Sequence, residues 1–303
     1  MTVPRRRGAR GRQLRTSLQG YLFVAPAFVL LIVFVAGPAI WVIGLSTFNW
    51  DLIGSGVFAG LHNYVQLVQD PTWWQSFVQT LYFVVVSVPL GMALGLLLAL
   101  LLNRPILGRS VFRGAVFAPY VTPAVATLVI WQWIFNRSYG LLNALLATFH
   151  IPPVGWLIDP RAIMPAVIIY TLWSTVGFSM VIFLSGLANV PDELREAAQV
   201  DGAGRWHVFR HVTWPLLGPT TYFVLIISTI NSFKVFNAIY ILAGSPVGGP
   251  NQAALTIGPY LYEQAFQFFH AGYASAISVA LFAIILLFTL VQNRLTSGRV
   301  FYQ

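Results

Sequence analysis

Six stretches of this chain are each long and apolar enough to cross a lipid bilayer, over approximately 20–46, 77–102, 114–136, 163–188, 219–243 and 273–292. A hydrocarbon core about 30 Å thick takes about 20 helical residues to span. No water reaches a free backbone N–H or C=O inside it, so a spanning segment is either a helix or part of a closed barrel. Apolar runs of this length are helices. Only 8% of the residues are charged and 57% are hydrophobic, whereas a soluble domain carries about a quarter charged residues. The expectation is an all-α integral membrane protein: one six-helix domain over 20–295, a basic tail over 1–19 and a short tail over 296–303.

Charge orients the helices. The net charge of +9 in a soluble chain would suggest nucleic acid, but here the basic residues follow the topology and no nucleic-acid partner is expected. Arg5, Arg6, Arg7, Arg10, Arg12 and Arg15 precede the first run. Arg104, Arg109 and Arg113 lie in the 103–113 loop, Arg195, Arg205 and Arg210 in the 189–218 loop, and Arg294 and Arg299 at the end. The opposite loops, 47–76, 137–162 and 244–272, hold only Arg137 and Arg161. By the positive-inside rule both termini and the 189–218 loop are cytoplasmic. The N-terminal arginines also suit contact with anionic lipid. The run from Tyr21 to Leu45 is longer than the roughly 7 to 15 residues of a signal-peptide core, so it reads as an uncleaved first helix.

Proline interrupts several crossings: Pro26 and Pro38 in the first, Pro89 in the second, Pro119 and Pro123 in the third. Such helices persist in lipid only where neighbours or cavities satisfy the freed carbonyls. Gly91, Gly95 and Ala99, four apart on one face, allow another helix to approach closely, and packing within the chain is preferred to a subunit interface. Trp73, Trp74, Trp131 and Trp133 stand near boundaries and are expected to anchor at the interface. Cysteine is absent, which excludes disulfides, thiolate metal sites and a cysteine nucleophile.

The 189–218 loop reads as helix, turn, helix. Pro191 suits a first helical turn, and Asp192 and Glu193 favour the positive end of the helix dipole. Leu194, Ala197 and Ala198 make a small apolar face, and Asp201-Gly202 breaks the helix because Gly tolerates positive φ. A second helix is expected from about Ala203 to Val212, ended by Pro215. The pattern Glu196-Ala197-Ala198, Asp201-Gly202-Ala203, then Val212 and Pro215 resembles the coupling loop of binding-protein-dependent ABC importer permeases, with Trp214 where Leu is usual. Gly60-Leu61-His62-Asn63-Tyr64, Asp70, Trp156-Leu157-Ile158-Asp159-Pro160 and the stretch from Phe233 to Tyr240 also resemble sugar permeases. The likeness covers 20–295 and is nearest in texture to MalF-like and glycerol-3-phosphate permease A-like subunits of carbohydrate uptake.

That resemblance implies a type I importer permease fold in a bacterial cell membrane. It implies four kinds of partner: a second, different permease subunit, an ATPase homodimer that binds the ATP and Mg, an extracytoplasmic solute-binding protein, and membrane lipid. In such a machine the loop docks into a cleft of the ATPase. Glu196 would make a polar contact there, Ala197, Ala198 and Gly202 would permit close docking, and Asp201 would cap or brace the turn. The cargo implied is a sugar or a glycerol-phosphate-type solute, with glycerol-3-phosphate or a glycerophosphodiester favoured.

The chain is not its own engine. Lys234 is its only lysine and follows Asn231-Ser232-Phe233, so a G-x-x-x-x-G-K-[ST] phosphate cradle is impossible. His207 and His211 lie one helical turn apart without a nearby third ligand, so no metal site is expected. No catalytic set is recognisable, which indicates a non-catalytic translocation subunit binding no cofactor itself. For the cargo path the fifth crossing stands out: Ser228, Thr229, Asn231, Ser232, Lys234 and Asn237 are unusually polar for lipid. A charge at the centre of a span costs about 2.5–3.5 kcal/mol on insertion scales and so usually faces a cavity or partner. Lys234 is either a counter-charge for phosphate or a lysine that snorkels outward or pairs between subunits. The alternative function is a self-sufficient secondary transporter. That would use an intramembrane Asp or Glu as its coupling-ion site, and none of the 8 acidic residues falls convincingly inside a crossing.

Overall fold

A computed structural model describes residues 8–52, 54–244 and 246–296; positions 1–7 of the basic tail and 297–303 of the C-terminal tail lie outside these. The first crossing is α1 (Gly8–Leu31), a π-turn over Ile32–Ala36, and α2 (Gly37–Leu45). The Gly37 N–H reaches back five residues to the Ile32 carbonyl, immediately before Pro38. A proline lacks the N–H that an α-helix uses and crowds the carbonyl four residues back, and the wider turn accommodates it. A two-stranded hairpin, β1 (Phe48–Asn49) against β2 (Val57–Phe58), and α3 (His62–Gln69) follow, so the described residues, otherwise helical in their regular structure, carry one small sheet. Then come α4 (Pro71–Leu102), α5 (Arg109–Val121), α6 (Ala124–Ile134), α7 (Leu141–Thr148) and α8 (Ile163–Ala188). The 189–218 segment holds α9 (Asp192–Val200), α10 (Arg205–Val208) and α11 (Trp214–Leu216). Finally α12 (Gly218–Phe233), α13 (Asn237–Ala243), α14 (Ile257–Tyr262) and α15 (Ala271–Thr296) complete the chain.

Four crossings are single apolar helices or nearly so, and two are bent. The third is not one rod over 114–136: α5 and α6 meet at 99°. Thr122 is extended, with ψ 139, because the ring of Pro123 disfavours the helical region for the residue before it. The fifth is not continuous over 219–243 either. It is entered by a 65° bend between Arg205–Leu216 and Gly218–Phe233 and is itself broken over Lys234 to Phe236 before α13. At 16 residues, α12 is about 24 Å long, shorter than the hydrocarbon core, so α13 is needed to complete the span.

The frame is α4 packed along α8. A Cβ on Gly95 would stand 2.6 Å from the Ser179 Cβ, so the expected close-approach face is an intrachain contact, with Gly91 lying against Leu172 on the same face. A neighbouring core of Phe83, Leu128, Phe135, Ile163, Val167 and Ile239 joins α4 and α8 to α6 and α13. Gln132 of α6 donates to the Ile241 carbonyl of α13 at 2.6 Å. Trp73 is 5% exposed and lies in a core with Leu255, Ile257 and Tyr260, so it is a packing residue and not the expected interfacial anchor. Trp131 packs among Phe135, Tyr170 and Trp173 in tilted and edge-on contacts, whereas Trp74 and Trp133 remain exposed. The 18-residue window of the first crossing has none of its residues buried.

At the end holding the hairpin and α14, Asp70 acts as a latch. Its Oδ1 accepts from the Thr72 N–H at 2.8 Å, capping α4, and its Oδ2 accepts from the hydroxyls of Tyr260 and Tyr273. Burial alone would raise its pKa, but the two hydroxyls and the Thr72 N–H together hold it below the ordinary carboxylate value. A depressed pKa means that the ionised form stabilises the fold at neutral pH, and this contribution is lost as pH falls through the lowered folded-state value. Asp70→Asn is therefore expected to lower the thermal midpoint of the purified chain at pH 7, with the difference from wild type shrinking on acidification. A constant difference across that range would show the carboxylate charge to be irrelevant.

Candidate functional site

Two features stand apart from packing, one at each level of the bundle. The first is the 189–218 element. α9 ends in a Schellman turn: the Ala203 N–H donates to the Ala198 carbonyl at 2.9 Å and the Gly202 N–H to Gln199 at 3.0 Å, with Gly202 at φ +84. That arrangement calls for a left-handed residue one position past the helix end, which glycine supplies without strain. Asp201 sits at the C-cap by its backbone, its N–H on the Ala197 carbonyl; its side chain makes no cap bond. The expected second helix begins two residues later than Ala203 and runs on past Val212: α10 passes through a π-turn over Phe209–Thr213 into α11, one helical stretch over Arg205–Leu216. Pro215 therefore does not end the helix but lies in the first turn of α11, preceded by the wide turn that its missing N–H demands, as at Pro38. Val208, Thr213 and Leu217 are buried and root the element, with Val212 half-buried between them. Glu196, Ala197, Asp201 and Gly202 are exposed, Ala198 and Ala203 partly so, and Leu194, Val200 and Trp206 leave apolar surface at 45%, 87% and 70% exposure. The result is a rooted knob with a bare, partly apolar outer face.

The second feature is a polar seam inside the membrane-spanning part. A small cavity of about 100 Å³ lies between α4, α5, α8 and α12. Asn231, Ser232 and Ser228 line it from α12, Ser87 from α4, Tyr120 from α5, and Thr171, Thr175 and Ser179 from α8. It adjoins a groove of about 280 Å³ that shares Tyr120, Thr171 and Thr175 and extends to Ser174, Thr122 and Asn237. Both broken crossings meet there: Thr122 at the α5–α6 bend, and Val235, Phe236 and Asn237 at the α12–α13 break. Irregular backbone at membrane depth is tolerated where protein buries it or a watered cavity receives it.

The fifth crossing's polar residues divide. Asn231, Ser232 and Ser228 face the small cavity and Asn237 the groove, while Thr229 is 2% exposed and accepts a hydrogen bond from Gln292 of α15 at 2.9 Å. Lys234 lines neither. It caps the C-terminal end of α12, exposed at the break, its N–H on the Asn231 carbonyl at 3.2 Å. It is a charge at a helix interruption and not inside a continuous span. The α8 hydroxyls and Tyr120 were not singled out from the sequence, although the 3- and 4-residue spacing of Thr171, Ser174 and Thr175 marks one helix face. Among the described residues no group of three or more potential metal-binding side chains converges; His207 and His211 stack at 4.0 Å between ring centroids without a third.

Residues 91–299 match the family of binding-protein-dependent transport system inner membrane components. The chain belongs to that family. The permease is 35% identical over 281 residues to the trehalose/maltose transport system permease protein MalF of Thermococcus litoralis, covering 91% of the chain and 93% of the relative. It is 33% identical to the sn-glycerol-3-phosphate transport system permease protein UgpA of Agrobacterium fabrum, over 93% and 96% of the two chains. Its fold superposes with a TM-score of 0.82 on a chain of a bacterial ABC transporter that imports the acidic polysaccharide alginate, at 23% identity over 95% and 98% of the two chains. The fold is thus the type I importer permease fold. The chain is a non-catalytic, multi-pass membrane permease subunit of an ABC importer that works with a solute-binding protein, and ATP hydrolysis belongs to a separate subunit.

Proposed function

We propose that this permease conducts a neutral sugar or oligosaccharide, as one of two different permease subunits above an ATPase homodimer that binds ATP and Mg. Both termini and the 189–218 loop are cytoplasmic in this reading, and the solute-binding protein delivers cargo at the hairpin and α14 end. Alternating access then exposes the seam first to one side and then to the other. The knob of Glu196, Ala197, Ala198, Asp201, Gly202 and Ala203, rooted through Val208, Thr213 and Leu217 in the stretch that holds Val212 and Pro215, carries the ATPase's closure to α12.

The observation that carries the cargo reading is the seam itself: hydroxyls and amides from α4, α5, α8 and α12, with no carboxylate lining it. Such groups pair with sugar hydroxyls without desolvating a fixed charge, and Tyr120 and Phe178, stacked at 5.0 Å, supply the apolar wall beside them. Ligand pockets generally enclose about 300–1,000 Å³, and these two adjoining spaces of about 100 and 280 Å³ together reach the lower end of that range.

A second reading, glycerol-3-phosphate or a glycerophosphodiester, is favoured by Lys234 at the α12–α13 break. The assembled importer in proteoliposomes decides between them. ATP-dependent uptake of maltose-type sugars, unchanged in Lys234→Met, supports the neutral reading. A loss of about tenfold or more in glycerol-3-phosphate uptake in Lys234→Met, with no sugar uptake by wild type, replaces it by the phosphate one. Uptake by this chain alone, without ATP, contradicts both.

A further inference from the structure

Where the 189–218 element folds back toward the end of α4 it borders an open cavity of about 500 Å³. Three guanidinium groups line it from three separate segments: Arg104 just past α4, Arg195 on α9 and Arg205 at the start of α10. Arg195 is paired with Asp192. The guanidinium groups of Arg104 and Arg205 make no ion pair or hydrogen bond among the described residues. The facing wall is apolar, with Leu100 near the end of α4 and Leu187 near the end of α8. The cavity therefore combines basic side chains with apolar ones from the ends of two crossings.

A phosphate-bearing anion answers the first property, since planar guanidinium groups pair its oxygens two at a time. An attached acyl chain answers the second. Basic pockets between crossing helices at the cytoplasmic boundary are where phospholipid headgroups settle. This space lies between α9 and α10 on one side and the ends of α4 and α8 on the other. We propose that it binds the phosphodiester of an anionic phospholipid, with the chain against Leu100 and Leu187. The bound headgroup relieves the repulsion among the arginines and ties the end of α4 to both helices of the coupling element.

The test uses the assembled importer in nanodiscs of phosphatidylcholine containing phosphatidylglycerol, with native mass spectrometry to count the lipid retained. Wild type is expected to retain phosphatidylglycerol over phosphatidylcholine. The double variant R104Q/R205Q is expected to weaken that preference about thirtyfold, each basic group contributing about fivefold at a membrane surface. R137Q/R161Q, the same charge change on the opposite loops, leaves it intact. Phosphatidylglycerol with a photoreactive headgroup should label wild type within 100–105 and 203–209, a result that does not depend on any variant assembling. Displacement by inorganic phosphate assigns the cavity to the free ion and overturns the lipid proposal, as does an equal loss in R137Q/R161Q or labelling confined to other segments. The readout is bound lipid, so it stands or falls apart from the cargo reading.

Discussion

Gly202→Val is expected to cut ATP-driven uptake at least tenfold in the reconstituted importer while the chain still inserts and folds. A Cβ at this position would meet nothing within 4 Å, so the substitution causes no clash. Its effect is through the backbone, because φ is +84, where a β-branched residue is strongly disfavoured. Holding a non-glycine residue in such a region costs of order 1–3 kcal/mol. The chain avoids the cost by unwinding the Schellman turn, which frees the Ala198 and Gln199 carbonyls and lets α9 swing relative to α10. Gly202→Asn separates this from the family-derived idea that Gly202 is small so that an ATPase can approach. Asn tolerates the left-handed region but fills the space, so if the turn is what matters it keeps most of the uptake that Val loses. Equal loss in both variants assigns the glycine to close docking. The measurement is uptake against ATP hydrolysis in the same proteoliposomes, where an uncoupled variant hydrolyses without transporting.

That turn was legible in the sequence because its signal is local: an alanine-rich helix followed by Asp201-Gly202 specifies its own end. The six apolar segments were legible for a similar reason, since each must satisfy its backbone alone. The breaks were less so. Pro123 announces the α5–α6 bend, but Lys234-Val235-Phe236 contains neither proline nor glycine, and a hydropathy window averages across it. The seam's α8 wall was hidden for a different reason. Thr171, Ser174 and Thr175 each return their hydroxyl to a carbonyl of their own helix, at 2.8, 3.0 and 2.7 Å. A hydroxyl satisfied in this way sits in an apolar helix at little cost, so composition does not flag it. Only the packing of α8 beside two broken helices turns these hydroxyls toward a shared space. Trp73 was misplaced for the converse reason: its position near a boundary suggests an anchor, and burial against α14 depends on a contact about 180 residues away in the chain.

Asn231→Leu is expected to reduce sugar uptake about tenfold or more, with thermal stability within about 0.5 kcal/mol of wild type, the usual range for a substitution outside the core. The side chain is exposed to the seam, so leucine meets no packed wall, but a polar cargo passing it loses a hydrogen-bond partner. Leaving such a group unpaired in a confined site costs about 1–3 kcal/mol, which corresponds to roughly five- to more than hundredfold in rate. Thr229→Val, two residues away on the same helix, supplies the contrast. Its hydroxyl holds Gln292 of α15, so its removal should lower the melting temperature while uptake per assembled importer stays near wild type. On the proposed path, one turn of α12 presents one face to cargo and the other to the fold. If Thr229→Val blocks uptake and Asn231→Leu does not, the path runs along α15 instead, and the seam between the broken helices is only a packing defect.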